Sequence, residues 1–210
     1  MHLPQKTTHL PERRALLALA LSCVLSFPLH AQTAFDLPQL TQLLSQVKAG
    51  EATFKEKRTV DMLERTLESS GRLSFAAPDT FVRETLKPRQ EKVAVTGNSV
   101  TMSAGSRSRT VPLDSVPEAA VIMEAIRGTL TGNRELLERH FNAAVSGSAQ
   151  RWSLELVPIE PRLRELVRSV QLGGQQSQVR EVTVTMSDGD RAVMTIEPMA
   201  AASKPAASAS

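Results

Sequence analysis

The chain has 210 residues, 41% of them hydrophobic, which is enough for one domain with a core of its own. Aromatic residues make up only 3% and Tyr is absent, so that core must be built from Leu, Val, Ile, Met and Ala. A formal charge of +3 gives no grounds for nucleic-acid binding, and the single Cys leaves no room for a disulfide framework.

The first segment reads as a secretory leader over residues 1–31. Lys6, Arg13 and Arg14 form a positive start, Ala15 to Phe27 an almost unbroken apolar run, and Ala31 a small-residue cleavage point. The run falls short of the roughly 20 apolar residues that a spanning helix needs. Cleavage there removes three basic residues and one acidic one, Cys23, and three of the four His, so the remaining domain is close to neutral. Lipidation at Cys23, which would anchor the protein, is the lesser alternative, because Ala20-Leu21-Ser22 matches the lipoprotein box poorly. The domain itself is expected over 32–198, with a disordered Ala/Ser/Lys/Pro tail over 199–210.

Asp36 caps a helix predicted to run to Lys48, with Leu37, Leu40, Leu43, Leu44 and Val47 on one face and Gly50 ending it. The period then falls to two. Strands are predicted over Thr53 to Val60, Gly71 to Ala76, Thr80 to Leu86, Glu91 to Thr96, Ser99 to Met102 and Arg107 to Leu113. Pro78-Asp79, Gly97-Asn98 and Gly105 supply turns, so the run reads as an antiparallel meander. A helix pair follows, Glu118 to Leu130 and Glu135 to Asn142, separated by Gly132-Asn133. Strands resume at Ser153 to Pro158, with a short helix at Arg162 to Val167, then Ser169 to Leu172, Val179 to Met186 and Arg191 to Glu197. The fold class is therefore α+β, with helices as the cover for a one-sided antiparallel sheet.

A search for catalytic chemistry finds little. His140 is the sole His beyond the leader, there is no Cys beyond it, and no Gly-x-Ser-x-Gly elbow occurs. No metal site, cofactor or catalytic residue is expected, and His140 reads as a surface residue. Asp188-Gly189-Asp190 reads as a type I′ hairpin turn rather than an acidic pair. Glu56, Glu64 and Glu68 read as a solvated face. Arg107 and Arg109, with Arg162, Arg164 and Arg168, read as a charged edge, with an acidic headgroup or partner as the functional alternative. No aromatics interleave with these arginines, which argues against nucleic acid as a partner. Met62, Met102, Met123, Met186 and Met194 suit either a core or an adaptable apolar surface.

Several segments, taken in order, carry a resemblance. They are Phe54-Lys55-Glu56-Lys57-Arg58, then Ser70-Gly71-Arg72-Leu73-Ser74-Phe75 followed by Pro78, then Lys87-Pro88, the Gly97-Asn98 turn, the helix pair, Trp152 to Pro158, and the Asp188-Gly189-Asp190 hairpin. From about Phe35 to Glu197 the chain resembles the LolA family of periplasmic lipoprotein carriers, in a divergent branch. The resemblance implies an incomplete, half-open antiparallel β-barrel with a helical lid. It also implies a monomer in the periplasm that takes up the acyl chains of a lipoprotein or lipid, between an inner-membrane donor and an outer-membrane acceptor. The implied cavity has Val121, Ile122 and Ile126 on the lid facing Leu73, Phe75, Phe81, Val93, Val95 and Leu154 on the sheet. The family's lid-latching Arg before the Pro is replaced by Ala77, which leaves Arg72 and Arg83 as candidates for a headgroup or lid contact. The competing reading is a periplasmic sensor or partner-binding module on the same half-barrel.

Overall fold

The structure is a computed structural model that describes residues 35–63 and 65–199. The expected leader with Cys23, and the expected tail beyond Met199, lie outside the described residues.

Helix α1 (Leu37–Leu44) opens with a capping box. The Asp36 carboxylate accepts from the Gln39 backbone N–H, and the Gln39 side chain accepts from that of Asp36. Pro38 stands in the first turn, where its missing N–H costs nothing. The helix is shorter than expected, and Gly50 does not end it. Strand β1 (Ala49–Val60) already begins before that glycine, because Ala49 and Gly50 pair with Ala76 and Phe75 of the next strand, β2 (Arg65–Ala76). Pairing across a hairpin of two twelve-residue strands outweighs the local helical pattern. It also draws residues 65–70 into β2, ahead of the expected start at Gly71.

The meander continues through β3 (Thr80–Lys87), β4 (Glu91–Thr96), β5 (Ser99–Ala104) and β6 (Arg107–Pro112). Then come α2 (Pro117–Thr131) and α3 (Arg134–His140). A second meander follows: β7 (Phe141–Ser148), β8 (Arg151–Pro158), the single turn α4 (Pro161–Arg164), β9 (Val167–Gln175), β10 (Gln178–Met186) and β11 (Arg191–Pro198). Strand β7 is absent from the sequence reading, which carried the preceding helix through Asn142. Its apolar alternation rests on Phe141, Ala143 and Val145 among small residues, a weak signal.

All eleven strands form one antiparallel sheet in the order β6-β5-β4-β3-β2-β1-β11-β10-β9-β8-β7. The last strand returns to pair with the first, so β1 and β11 lie at the centre, and β6 and β7 are free edges. The sheet is an incomplete barrel, and the helix pair is the covalent connection between its two edges. The fold class expected from sequence is the one observed.

One sheet face is apolar and covered by helices. On one half, Phe75, Phe81, Val95, Val100 and Val111 are register partners in a single row. On the other, Leu154 and Leu156 of β8 pair with Leu172 and Val170 of β9. The opposite face is rich in Ser, Thr and charged residues, with cross-strand hydroxyl pairs Thr101–Thr110 and Ser103–Ser108.

Two of the close approaches made at glycines bear on the covered face. Gly132 ends α2 in the left-handed conformation, φ +65°, against the backbone of α1. Gly174 lies under the Trp152 ring, its cross-strand partner. The turn before β11 departs from the expected type I′. Gly189 has φ +99°, but Asp188 does not share the left-handed region, and a type I′ turn needs both. Instead Asp190 is buried. Its carboxylate accepts from Arg58 (2.8 Å) and from the backbone N–H of Asp61 (3.1 Å), tying this turn to the β1–β2 hairpin. The Arg58 hydrogen bond, with the Asp61 N–H, holds that carboxyl below the usual carboxylate range.

Candidate functional site

The lid is α2, an apolar helix that is not one-sided. Val121 and Ala125 enter a buried cluster made with Leu40 and Leu44 of α1, Leu137 of α3, and Trp152, Leu154, Leu156, Val167, Val170 and Leu172 of the sheet. Ala119, Ala120, Met123, Ile126 and Leu130 pack on a second cluster of Phe81, Val95, Val100 and Leu113. One helix therefore straddles two apolar basins, one in each half of the sheet.

This division separates the expected cavity residues. Val121 and Leu154 are buried in the first cluster, with Ile122 packed against it. Phe81 and Val95 are buried in the second, with Phe75, Val93 and Ile126 packed against it. The Phe75 and Phe81 rings stack at 5.1 Å. Leu73 is half-buried, on the covered face between Ala52 and Arg83, and joins neither cluster. Of the lid residues proposed to face Leu73, Phe75, Phe81 and Val93, only Ile126 packs with the cluster containing three of them. In this state the covered face is filled by its own side chains, with Val95 4% and Leu154 0% exposed. A hollow of about 390 Å³ lies on the opposite face, lined by Thr53, Lys55, Arg72, Thr195 and Glu197 among others.

Neither candidate Arg reaches the lid. Arg72 lies on the helix-free face, beside that hollow. Arg83 is on the covered face but bonds within the sheet. It donates to both carboxylate oxygens of Glu56, at 3.1 and 2.9 Å, and to Ser69 Oγ at 3.1 Å, with its guanidinium 4.7 Å from the centre of the Phe54 ring. Glu56, expected on a solvated face, is thus a largely buried member of an ion pair, whereas Glu68 is exposed as expected and pairs with Lys57 at 3.4 Å. His140 is exposed at the end of α3, and its carbonyl accepts from the Ile159 N–H. Among the methionines, Met123 and Met186 pack against the two clusters, while Met62 and Met102 are exposed.

The polar link between lid and sheet comes from a residue the sequence reading passed over. Arg127 of α2 donates to the Gly97 carbonyl in the β4–β5 turn at 2.8 Å and to Glu124 at 2.9 Å. The same turn holds the start of the lid, since the Leu113 N–H donates to the Asn98 carbonyl and the Asn98 amide to Asp114. A lone Arg inside an apolar helix, three residues after a Glu, was the available signal. Replacing Arg127 with Gln is expected to weaken lid closure by about 1–2 kcal/mol, since a hydrogen bond to a charged group contributes about 1.5–3 kcal/mol and this guanidinium is partly screened by solvent. Hydrogen exchange of the α2 amides would then speed up by about tenfold, since 1.4 kcal/mol is a factor of ten. Unchanged α2 protection would deny Arg127 that role.

A family profile described as outer membrane lipoprotein carrier protein LolA-like matches residues 29–210. No curated protein matches the sequence. Solved structures with a similar course include a LolA superfamily protein from Nitrosomonas europaea, 8% identical, covering 79% of this chain and 93% of that one at a TM-score of 0.41. A DUF1329 family protein from Desulfovibrio piger is 9% identical, covering 80% and 93% at a TM-score of 0.46. LprF from Mycobacterium bovis is 10% identical, covering 80% and 95% at a TM-score of 0.36. The chain belongs to the LolA-like outer membrane lipoprotein carrier family.

Proposed function

We propose that the protein is a periplasmic carrier that takes up the acyl chains of a lipoprotein or lipid between α2 and the sheet and passes them towards the outer membrane. The observation that carries this reading is the lid itself. It is an apolar helix lying on apolar strands, tied to the sheet through Arg127 and the β4–β5 turn. A sixteen-carbon chain resists exposure to water by on the order of 12 kcal/mol, so a soluble carrier must enclose it. The basin under the β2–β6 half suits that task better than the other. Its floor is Phe75, Phe81, Val93, Val95 and Val100, and its roof is only half-buried: Met123, Ile126 and Leu130. Cargo enters as the lid lifts and these side chains part. An inner-membrane donor would load it and an outer-membrane acceptor would unload it.

Native mass spectrometry of the full chain, purified gently from the periplasm, tests this reading. The expected result is an acyl-chain species bound at near one-to-one ratio. After delipidation, Ile126→Gln should weaken uptake of a fluorescent fatty acid at least tenfold while the unfolding midpoint stays within a few degrees, because a polar amide then lines the basin. A lipid-free protein that also ignores the probe would overturn the carrier reading.

A further inference from the structure

The cations of the domain are not evenly placed. The β3–β4 hairpin tip carries Lys87, Arg89 and Lys92, and the adjacent β5–β6 tip carries Arg107 and Arg109, all exposed. The two tips are neighbours, because β4 and β5 pair with Lys92 opposite Ser103. Glu91 adjoins Lys92 and Glu84 is its cross-strand partner, but none of the five cations forms an ion pair among the described residues, and no carboxylate lies in register with Arg107 or Arg109. At α4 the pattern differs, since Arg162 and Arg164 are flanked by Glu160 and Glu165.

Two further observations give the basic tips a direction. The cover supplied by α2 runs out towards them. Along β5, Val100 is 7% exposed and Met102, two residues nearer the tip on the same face, is 39% exposed. Met102 lies in register between Val93 and Arg109. Leu86, just before the β3–β4 tip, is also exposed, on the helix-free side of the sheet where it lines the hollow beside Arg72. The tips therefore combine an excess of unpaired cations, exposed apolar side chains on both faces of the sheet and, at Met102, the open end of the second basin.

We propose that these two hairpin tips dock on an anionic bilayer surface, with Lys87, Arg89, Lys92, Arg107 and Arg109 over the headgroups and Met102 and Leu86 at the boundary with the acyl chains. This deepens the carrier reading by placing the basin's open end against the membrane, yet docking itself requires no acyl-chain uptake. Each cation near such a surface contributes about fivefold to binding, and the attraction is screened by salt.

The test is flotation of the full mature chain with vesicles of phosphatidylcholine alone or with phosphatidylglycerol. Binding is expected only to the anionic vesicles, falling steeply with added salt. A triple variant, Lys87→Gln with Arg89→Gln and Arg107→Gln, should lose about a hundredfold in vesicle affinity by the same constant. Arg162→Gln with Arg164→Gln should bind as the unaltered protein does. Circular dichroism melting confirms that each variant is folded, which exposed polar positions favour. Absence of binding to anionic vesicles overturns the proposal, and so does an equal loss per charge removed in the two variants, which would mean diffuse charge. Capture of an acidic polypeptide with no vesicle binding would transfer the surface to a protein partner and overturn it as well. Since lipid uptake is measured separately, a failed carrier and a failed docking surface give different results.

Discussion

Replacing Trp152 with Ala should cost about 3–5 kcal/mol of folding stability, the range for removing a fully buried large aromatic side chain. The indole is 2% exposed and lies in the cluster beneath α1, α2 and α3. It fits because its cross-strand partner is Gly174, where an added Cβ would come within 2.2 Å of the ring. Its Nε1 donates to the Gln176 carbonyl at 2.8 Å, in the turn where Gln176 itself has a left-handed φ of +51°. Removing the indole opens a void, leaves that carbonyl without its donor and loosens a strained turn. Trp152→Phe keeps most of the volume and should cost far less, with about 1 kcal/mol of it from the lost hydrogen bond. Urea unfolding checks both, and because this is the sole Trp of the chain, circular dichroism must replace fluorescence as the probe. A loss below 1 kcal/mol for the Ala variant would mean that the ring does not support this half of the sheet.

Gly132→Val should destabilise by about 2–5 kcal/mol, for two separable reasons. At φ +65° a β-branched residue meets its own backbone, at a cost of about 1–2 kcal/mol. A Cβ at that position would also lie 2.2 Å from the Thr41 carbonyl oxygen and 2.8 Å from the Ser45 nitrogen, both backbone atoms of α1 and its cap, which adds about 1–3 kcal/mol of overpacking. Gly132→Asn separates the two effects, because Asn tolerates the left-handed conformation but carries the same Cβ. If Asn proves neutral, the clash is relieved by movement of α1, and the lid helix has more freedom there than its packing implies. Differential scanning calorimetry of the three proteins gives the answer.

Much of the architecture was legible in the residues because antiparallel hairpins are local. Period-two alternation with Pro78-Asp79, Gly97-Asn98 and Asp188-Gly189 marked most of the strands, and the helix pair was set off by Pro117 and Gly132. What escaped was decided by distant partners. Strand β7 has little apolar contrast of its own and is defined by β8. Gly50 looked like a helix stop until β2 claimed it. Glu56 looked solvated because nothing near it in sequence announces that Arg83, on β3, lies in reach. The cavity residues were recognisable as apolar and covered, but their division between two basins depends on which side of α2 each one meets, and α2 is apolar on both. Arg127 was missed for a similar reason: its partner is a backbone carbonyl in a turn thirty residues earlier, which leaves no side-chain signature.

The connection of β6 to β7 through α2 and α3 has a mechanical consequence. The ten junctions within the sheet are hydrogen-bonded ladders, whereas the lid helix meets the covered face through side chains and through its contacts with the β4–β5 turn. A closed barrel can swell only by breaking ladder bonds, each of which must then find a new partner. Here the helix pair can lift from the covered face while every strand keeps its neighbours, and its peptide links to β6 and β7 keep it attached at both ends. The lid thus behaves less like a flap on one hinge than like a belt with slack. The girth of what lies beneath it would set how far it rides out, so one fold could accommodate cargo of different bulk without unpairing its sheet.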